Sequence, residues 1–231
     1  LIRITYKGLV FDRDIFYKSL RIGIPTGLQH TFVSLGMMAL LRIVNMFGAN
    51  TIPAYTIAGR IDSFAALPAM NFSMALSTFV GQNLGANKPH RVRQGLRSTM
   101  MMTTVVSLSV TAVAWLFGHD LMRVFTSDPE VIRIGYEYLV IVSTFYILFS
   151  AMFVVNGVLR GAGDTLVPMF ITLFSLWILR VPGSYLLSQR MGTDGIWWGI
   201  PLAWLFGFVA SFIYYRSGKW RSKVVVKPKE D

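Results

Sequence analysis

The sequence predicts an all-α membrane protein, built as a bundle of six transmembrane helices. Of its 231 residues 54% are hydrophobic and only 14% are charged, whereas soluble domains carry about 25% charged residues. Apolar runs of roughly 20 residues recur along the chain, and this is the length of helix that spans a bilayer core. Basic residues collect between these runs, as they do in the loops of membrane proteins.

The six helices follow one another through residues 19–216. They are predicted at residues 20–46, 52–84, 96–118, 129–159, 164–188 and 194–216. The fourth follows Asp128-Pro129-Glu130, a typical cap with proline in the first turn, and Asp164 and Asp194 lie where the last two need caps. Strands are disfavoured because the runs are too long and because barrel strands would alternate in polarity.

Segments outside the bundle are polar and basic. Residues 1–18 are predicted as a cytoplasmic linker with a short interfacial helix, since apolar and charged residues alternate over residues 9–20. A second short surface helix is expected at residues 119–127. Residues 217–231 are predicted as a basic cytoplasmic tail. Because the chain begins with Leu1, we expect it to be part of a longer protein.

The distribution of basic residues predicts the orientation. The linker, the loops after the second and fourth helices and the tail hold most of the 22 Lys and Arg residues, and such loops face the cytoplasm. Both termini are therefore predicted to be cytoplasmic, with the chain crossing the cell inner or plasma membrane several times. Orientation explains the net charge of +11 without nucleic acid. Contact of the tail with anionic lipids is expected.

Five ionisable residues lie inside the predicted helices, where charge is costly and often functional. They are Arg42, Arg60, Asp62, Glu137 and Arg180. The rise of 1.5 Å per residue places all of them in the outer half of the membrane. Two interpretations stay open: ion pairs that lock the bundle, with Arg42 reaching the interface, or a charged vestibule or ion relay. We expect arginine neighbours for both acids, with Asp62 near Arg42, Arg180 or water.

Polar uncharged residues form stripes on the first two helices. On the second helix Arg60, Asn71, Thr78 and Gln82 fall within roughly 40° of one another. On the first helix the stripe contains His30, Ser34 and Asn45. Each stripe either bonds to neighbouring helices or lines a substrate or ion pathway.

Asn71 follows Pro68 by three residues, so two roles are open for it. Its amide could satisfy the turn that the proline loosens, or it could face a cleft and meet substrate. The cleft is favoured, because the stripe that holds Asn71 is the most polar on its helix.

Catalytic and metal-binding patterns of soluble enzymes are not found in the sequence. There is no nucleophile elbow, phosphate-binding loop or paired histidine motif. With no cysteine, disulfides and thiolate metal sites are excluded. We therefore expect neither an enzyme, nor a bound metal, nor an organic cofactor.

Three segments resemble multidrug and toxic compound extrusion (MATE) transporters in order and spacing. They are residues 81–86 (GQNLGA), 125–132 (FTSDPEVI) and 158–165 (VLRGAGDT). Members of that family resemble two six-helix bundles joined by a cytoplasmic linker. The resemblance implies that this chain is the second bundle of a twelve-helix transporter, with the N-terminal six-helix lobe as its partner.

The resemblance also implies antiport by alternating access, in which H⁺ or Na⁺ enters and a drug or other small organic molecule leaves. Some members carry Glu and Asp where this chain has Val33 and Phe149. The coupling-ion site is therefore expected mainly in the N-terminal lobe, or at Asp62 and Glu137. Two alternatives remain: a flippase of related fold for lipid-linked oligosaccharides, and a membrane subunit that does not transport.

Overall fold

The computed structural model describes residues 11–223, which form helices joined by short turns. Five helical runs are long and apolar enough to cross a membrane, and a bent pair of helices can supply a sixth crossing. The α-helices are α1 (Arg13–Asn45), α2 (Thr51–Gly85), α3 (Pro89–Arg123), α4 (Pro129–Ser143), α5 (Tyr146–Gly161), α6 (Leu166–Phe174), α7 (Val181–Met191) and α8 (Thr193–Ser217).

Helix α1 begins earlier than predicted because Asp12 caps it. The Asp12 carboxylate accepts hydrogen bonds from the backbone amides of Asp14 and Ile15. Neither proline nor glycine interrupts residues 13–20, so this stretch continues into the first crossing. Residues 13–20 are thus a helix that enters the first crossing, and their position at the membrane interface stays a prediction. The rest of the predicted linker, residues 1–10, lies outside the described residues.

Helix α3 is longer than predicted at both ends. Pro89 lies in its first turn, where the fixed φ of proline suits a helix and its missing amide costs nothing. At the other end, residues 119–123 form the last turn of α3, so the predicted second surface helix is not separate.

The predicted fourth crossing, residues 129–159, is two helices that meet at an angle of 51°. Hydroxyl groups of α3 bind backbone carbonyls on both sides of the break. Thr111 donates to the carbonyl of Ser143 at 2.7 Å, and Ser107 to that of Tyr146 at 3.4 Å. A side chain that takes a helical carbonyl is a common cause of a kink. Because the cause lies on another helix, the local sequence does not show it.

The predicted fifth crossing contains one wide turn. Residues Ser175–Arg180 form a π-helical segment between α6 and α7. Pro182 follows at once, and its missing amide leaves the carbonyl four residues earlier without its usual helical donor. In transmembrane helices a local shift to the wider π pattern can satisfy backbone groups that a proline frees.

Close packing holds the crossings together at glycines. Gly157 and Gly161 on α5 lie against the backbone of Ser73 and Ser77 on α2. On α8, Gly195 and Gly199 lie similarly against α7. Small residues that let helix backbones approach are typical of membrane bundles.

The first residues of the predicted tail belong to helices. Helix α8 continues to Ser217 and ends at Gly218, which has a left-handed φ of 72°. A short 3₁₀ helix, Lys219–Lys223, follows. Its Trp220 packs into a small apolar core with α2, α3 and α5, and residues 224–231 lie outside the described part of the chain.

Candidate functional site

Polar side chains are exposed on α1 and α2 beside apolar ones such as Phe64 and Met74, and we call this set of polar residues the exposed polar face. All seven residues of the two predicted stripes are exposed on it: His30, Ser34, Asn45, Arg60, Asn71, Thr78 and Gln82. The other side of α2 packs into the core through mostly apolar residues such as Ala58, Ala65 and Leu76. The structure therefore places both stripes away from the interior of this bundle.

Most side chains on the exposed polar face have no partner among residues 11–223. The hydroxyls of Ser34 and Thr78 donate to carbonyls of their own helices, at 3.0 and 3.3 Å. Within the described residues, the side chains of His30, Asn45, Arg60, Asn71 and Gln82 make no hydrogen bond. Asn71 in particular does not bond to the turn that Pro68 loosens. Polar groups of this kind are costly in contact with lipid.

Asp62 lies on the opposite side of α2 from Arg60, as the separation of two residues on a helix predicts. Its Oδ2 accepts a hydrogen bond from the hydroxyl of Tyr138 at 3.2 Å, and the hydroxyl of Tyr146 also interacts with this carboxylate. Tyr138 belongs to α4 and Tyr146 to α5. Asp62 therefore connects α2 to both sides of the 51° bend.

Aromatic rings pack around Tyr138, one of the donors to this carboxylate. Trp197 is stacked on Tyr55 with ring centroids 5.6 Å apart, and it meets the edge of Tyr138 at 5.1 Å. We call Asp62, Tyr55, Tyr138, Tyr146 and Trp197 the internal aromatic cluster. It lies in the larger core, away from the exposed polar face.

Of the arginines expected near Asp62, Arg180 is close enough to attract the carboxylate, but its direct partners are tyrosine hydroxyls. Among the described residues Asp62 forms no salt bridge, and Arg180 acts on it only through longer-range attraction. Arg180 is half-buried and its Nε has no hydrogen-bond partner, while Arg42 is exposed in the last turn of α1. Tyrosine hydroxyls satisfy the carboxylate without the cost of burying a second charge beside it.

The expected arginine neighbour of Glu137 is confirmed, and it lies on the same helix, at the surface. Its carboxylate lies 2.7 Å from Nη1 of Arg133, four residues earlier on α4, and Arg133 also pairs with Glu130. The side chain of Glu137 is 31% exposed. This pair is therefore separate from the internal aromatic cluster.

A buried polar network was missed from the sequence. Gln29 donates to the hydroxyl of Thr172 at 2.9 Å and accepts from Arg160 at 3.0 Å. It joins α1 to α5 and α6 near the predicted cytoplasmic end. A glutamine inside an apolar crossing was the available signal. The prediction named its neighbour His30, which is exposed, and did not name Gln29.

The two positions where some MATE members carry acids are apolar packing positions. The ring of Phe149 lies 4.8 Å from that of Trp204 and 4.6 Å from that of Phe153. Val33 packs against the larger core. In the described residues, no three His, Asp or Glu side chains are grouped closely enough to hold a metal ion.

A model of the MatE family matches residues 25–186. The chain belongs to the MatE family. Proteins of this family are transporters rather than enzymes, and the helices long enough to cross a membrane agree with a multi-pass membrane protein.

Two relatives with curated names are bacterial proteins. The chain is 36% identical to the probable multidrug resistance protein YpnP of Bacillus subtilis, over 88% of this chain and 46% of that protein. It is 30% identical to the probable multidrug resistance protein NorM of Thermotoga maritima, over 95% of this chain and 48% of that protein. The chain thus spans about half the length of the curated relatives it matches.

Solved structures share the fold. A MATE crystal structure in the bent conformation matches with a TM-score of 0.86 and 20% identity, over 98% of this chain and 51% of that one. A MOP superfamily transporter from Pyrococcus furiosus matches with a TM-score of 0.87 and 20% identity, over 94% and 49%. The six-crossing architecture is therefore that of one half of a MATE transporter chain.

Proposed function

We propose that this chain is the C-terminal six-helix half of a cation-coupled antiporter that exports drugs or other small organic molecules. The order of the three motifs supports the assignment to the second half. The names of the curated relatives, probable multidrug resistance proteins, support the class of substrate. Alternating access would arise from movement of this lobe against an N-terminal six-helix lobe.

The exposed polar face carries this proposal. A membrane protein complete in itself would place polar stripes inside its bundle, yet α1 and α2 present seven polar residues outward. A second lobe facing α1 and α2 would turn this surface into one wall of a central cleft. Arg60, Asn71 and Gln82, which lack partners in residues 11–223, are then available to substrate.

Coupling by H⁺ or Na⁺ is proposed to rest mainly on the N-terminal lobe. In this chain the two positions at which some family members carry acids are packed among apolar groups. Asp62 is the better candidate of the two remaining acids, because Glu137 is already paired with Arg133 at the surface. Asp62 is held by neutral hydroxyl groups, so a cation could approach it without displacing an arginine.

For the location we propose the cell inner membrane, with both ends of this chain in the cytoplasm. The support is the excess of basic residues in the linker, in the tail and at the start of α3. On this basis the turns after α2 and α5 face the cytoplasm.

Transport by the lone chain and by the assembled halves tests the proposal. The purified chain in liposomes should give no flux of an organic cation dye under a proton or sodium gradient. Co-reconstitution with the N-terminal half of YpnP should restore flux. Robust flux from the lone chain would contradict the need for a second lobe.

A flippase for lipid-linked oligosaccharides is the second candidate, because Arg42 and Arg60 are both exposed and could bind a pyrophosphate. Transfer of a fluorescent lipid-linked sugar by the assembled halves, without flux of the dye, would favour it over the antiporter.

A further inference from the structure

A groove of about 560 Å³ lies between α3 and α8, near the turn from α2 to α3. Its wall on α3 includes Arg93, Arg97, Met101 and Val105, and its wall on α8 includes Tyr215. Both helices pack on α5. The residues that line the groove belong to α3 and α8, whereas the exposed polar face belongs to α1 and α2.

The lining changes from cationic to apolar along the groove. Arg93 and Arg97 are four residues apart, so they lie on one side of α3. Met101 and Val105 continue the same row, 55% and 64% exposed. From Arg93 to Val105 this row extends for about 18 Å. A ligand that fills it needs an anionic end and a long apolar part.

The two arginines have no acidic partner within the described residues. The salt bridges there involve Lys18, Arg123 and Arg133 instead. Asp164, in the turn after α5, is buried and accepts from the hydroxyl of Tyr214 at 2.5 Å, and it does not line the groove. An anion in the groove would therefore meet two unneutralised guanidinium groups.

Aromatic residues fix the polar end of the groove at the membrane surface. Tyr215 stacks on Trp220 with ring centroids 5.5 Å apart, and the Trp220 indole donates to the Tyr215 carbonyl at 2.8 Å. Arg221 lies over the Trp220 ring at 5.4 Å. Tyr, Trp and basic residues at the end of a crossing are typical of the headgroup layer.

We propose that this groove binds one anionic phospholipid. The phosphate would lie between Arg93 and Arg97, and an acyl chain would follow Met101 and Val105 toward the bilayer centre. Basic pockets between transmembrane helices are suited to anionic headgroups. The assignment depends on the charge and shape of the groove, and is independent of which leaflet this end faces.

Native mass spectrometry of the purified chain in detergent tests the proposal. Phosphatidylglycerol, phosphatidylcholine and inorganic phosphate are titrated separately. We expect phosphatidylglycerol to be retained in preference to phosphatidylcholine. Equal retention of the two lipids would overturn the proposal, and so would full displacement of phosphatidylglycerol by equimolar inorganic phosphate.

Paired variants separate the groove from general surface charge. The double variant Arg93→Gln/Arg97→Gln should weaken phosphatidylglycerol binding by about fivefold for each arginine. The control Lys88→Gln/Arg91→Gln removes two exposed charges at the same end of α3 but outside the groove, and should change binding less than twofold. An equal effect of both double variants would refute a defined site.

A third variant addresses the apolar part of the site. Val105→Trp places a large side chain in the groove and leaves both arginines in place. It should weaken phosphatidylglycerol binding at least fivefold. Binding at the wild-type level would show that no acyl chain occupies the groove and would overturn the proposal.

Discussion

The contact between α2 and α5 should not tolerate a methyl group at Gly157. A Cβ built there would lie 2.6 Å from the Ser73 carbonyl oxygen and 2.7 Å from the Ser73 hydroxyl. The carbonyl belongs to the backbone of α2, so it cannot move aside as a side chain would. The Ser73 hydroxyl also donates to the Phe153 carbonyl at 2.6 Å, and the methyl group would disturb that bond.

The cost of Gly157→Ala follows from these two effects. Overpacking a well-packed core costs about 1–3 kcal/mol, and a membrane hydrogen bond contributes about 0.6 kcal/mol. For a chain of this size such a loss lowers the melting temperature by roughly 3–14 °C. Gly59→Ala on α2 is the matched control, because a Cβ there meets nothing within 4 Å.

Thermal unfolding of both variants in one detergent, followed by tryptophan fluorescence, is the measurement. We expect Gly157→Ala to melt well below the wild type and Gly59→Ala to melt at or slightly above it. If the two variants melt within 1–2 °C of each other, at the resolution expected of such a scan, the close approach of α2 and α5 is refuted.

Three further predictions concern the polar groups. Asn71→Ala should leave the melting temperature unchanged and weaken substrate binding by the assembled halves; a lower melting temperature with unchanged affinity would contradict its place in the cleft. Gln29→Ala should lower the free energy of unfolding by about 0.6–2 kcal/mol, because Arg160 and Thr172 both lose a hydrogen-bond partner. Thermal unfolding measures this, and His30→Ala, at the exposed neighbouring position, is the control. Glu137→Gln should change neither melting nor flux measurably, because its ion pair is partly exposed.

Much of the architecture was predictable because hydrophobic length is a local property. The number of crossings and most of their limits follow from runs that contain no charge. The kink at Ser143 was not predictable in this way, because it is made by hydroxyls of α3 that lie over thirty residues earlier. The π segment was not predicted either; it precedes Pro182, whose missing amide affects the residues before it.

For the candidate site, the sequence predicted only which side of a helix each residue lies on. The angle of 100° per residue correctly separated Arg60 from Asp62 and grouped Asn71 with Gln82. It could not identify partners on other helices, so an arginine was expected at Asp62 where Tyr138 is found. Pairing between helices depends on packing distances and side-chain lengths, and these are not local.

Helix α2 therefore carries polar residues on two opposite sides, and the two sets differ in whether they have hydrogen-bond partners. Arg60 and Asn71 are turned outward and have no partner among residues 11–223, while Asp62 is turned inward and held by Tyr138. Both sides belong to one helix, so under the proposed function a charge change at Asp62 that alters its bonds to α4 and α5 would be passed to the outward side through α2. In the antiporter that we propose, an ion acting on the inner side of α2 would change the position of Arg60 and Asn71, which are proposed to meet substrate on the other side.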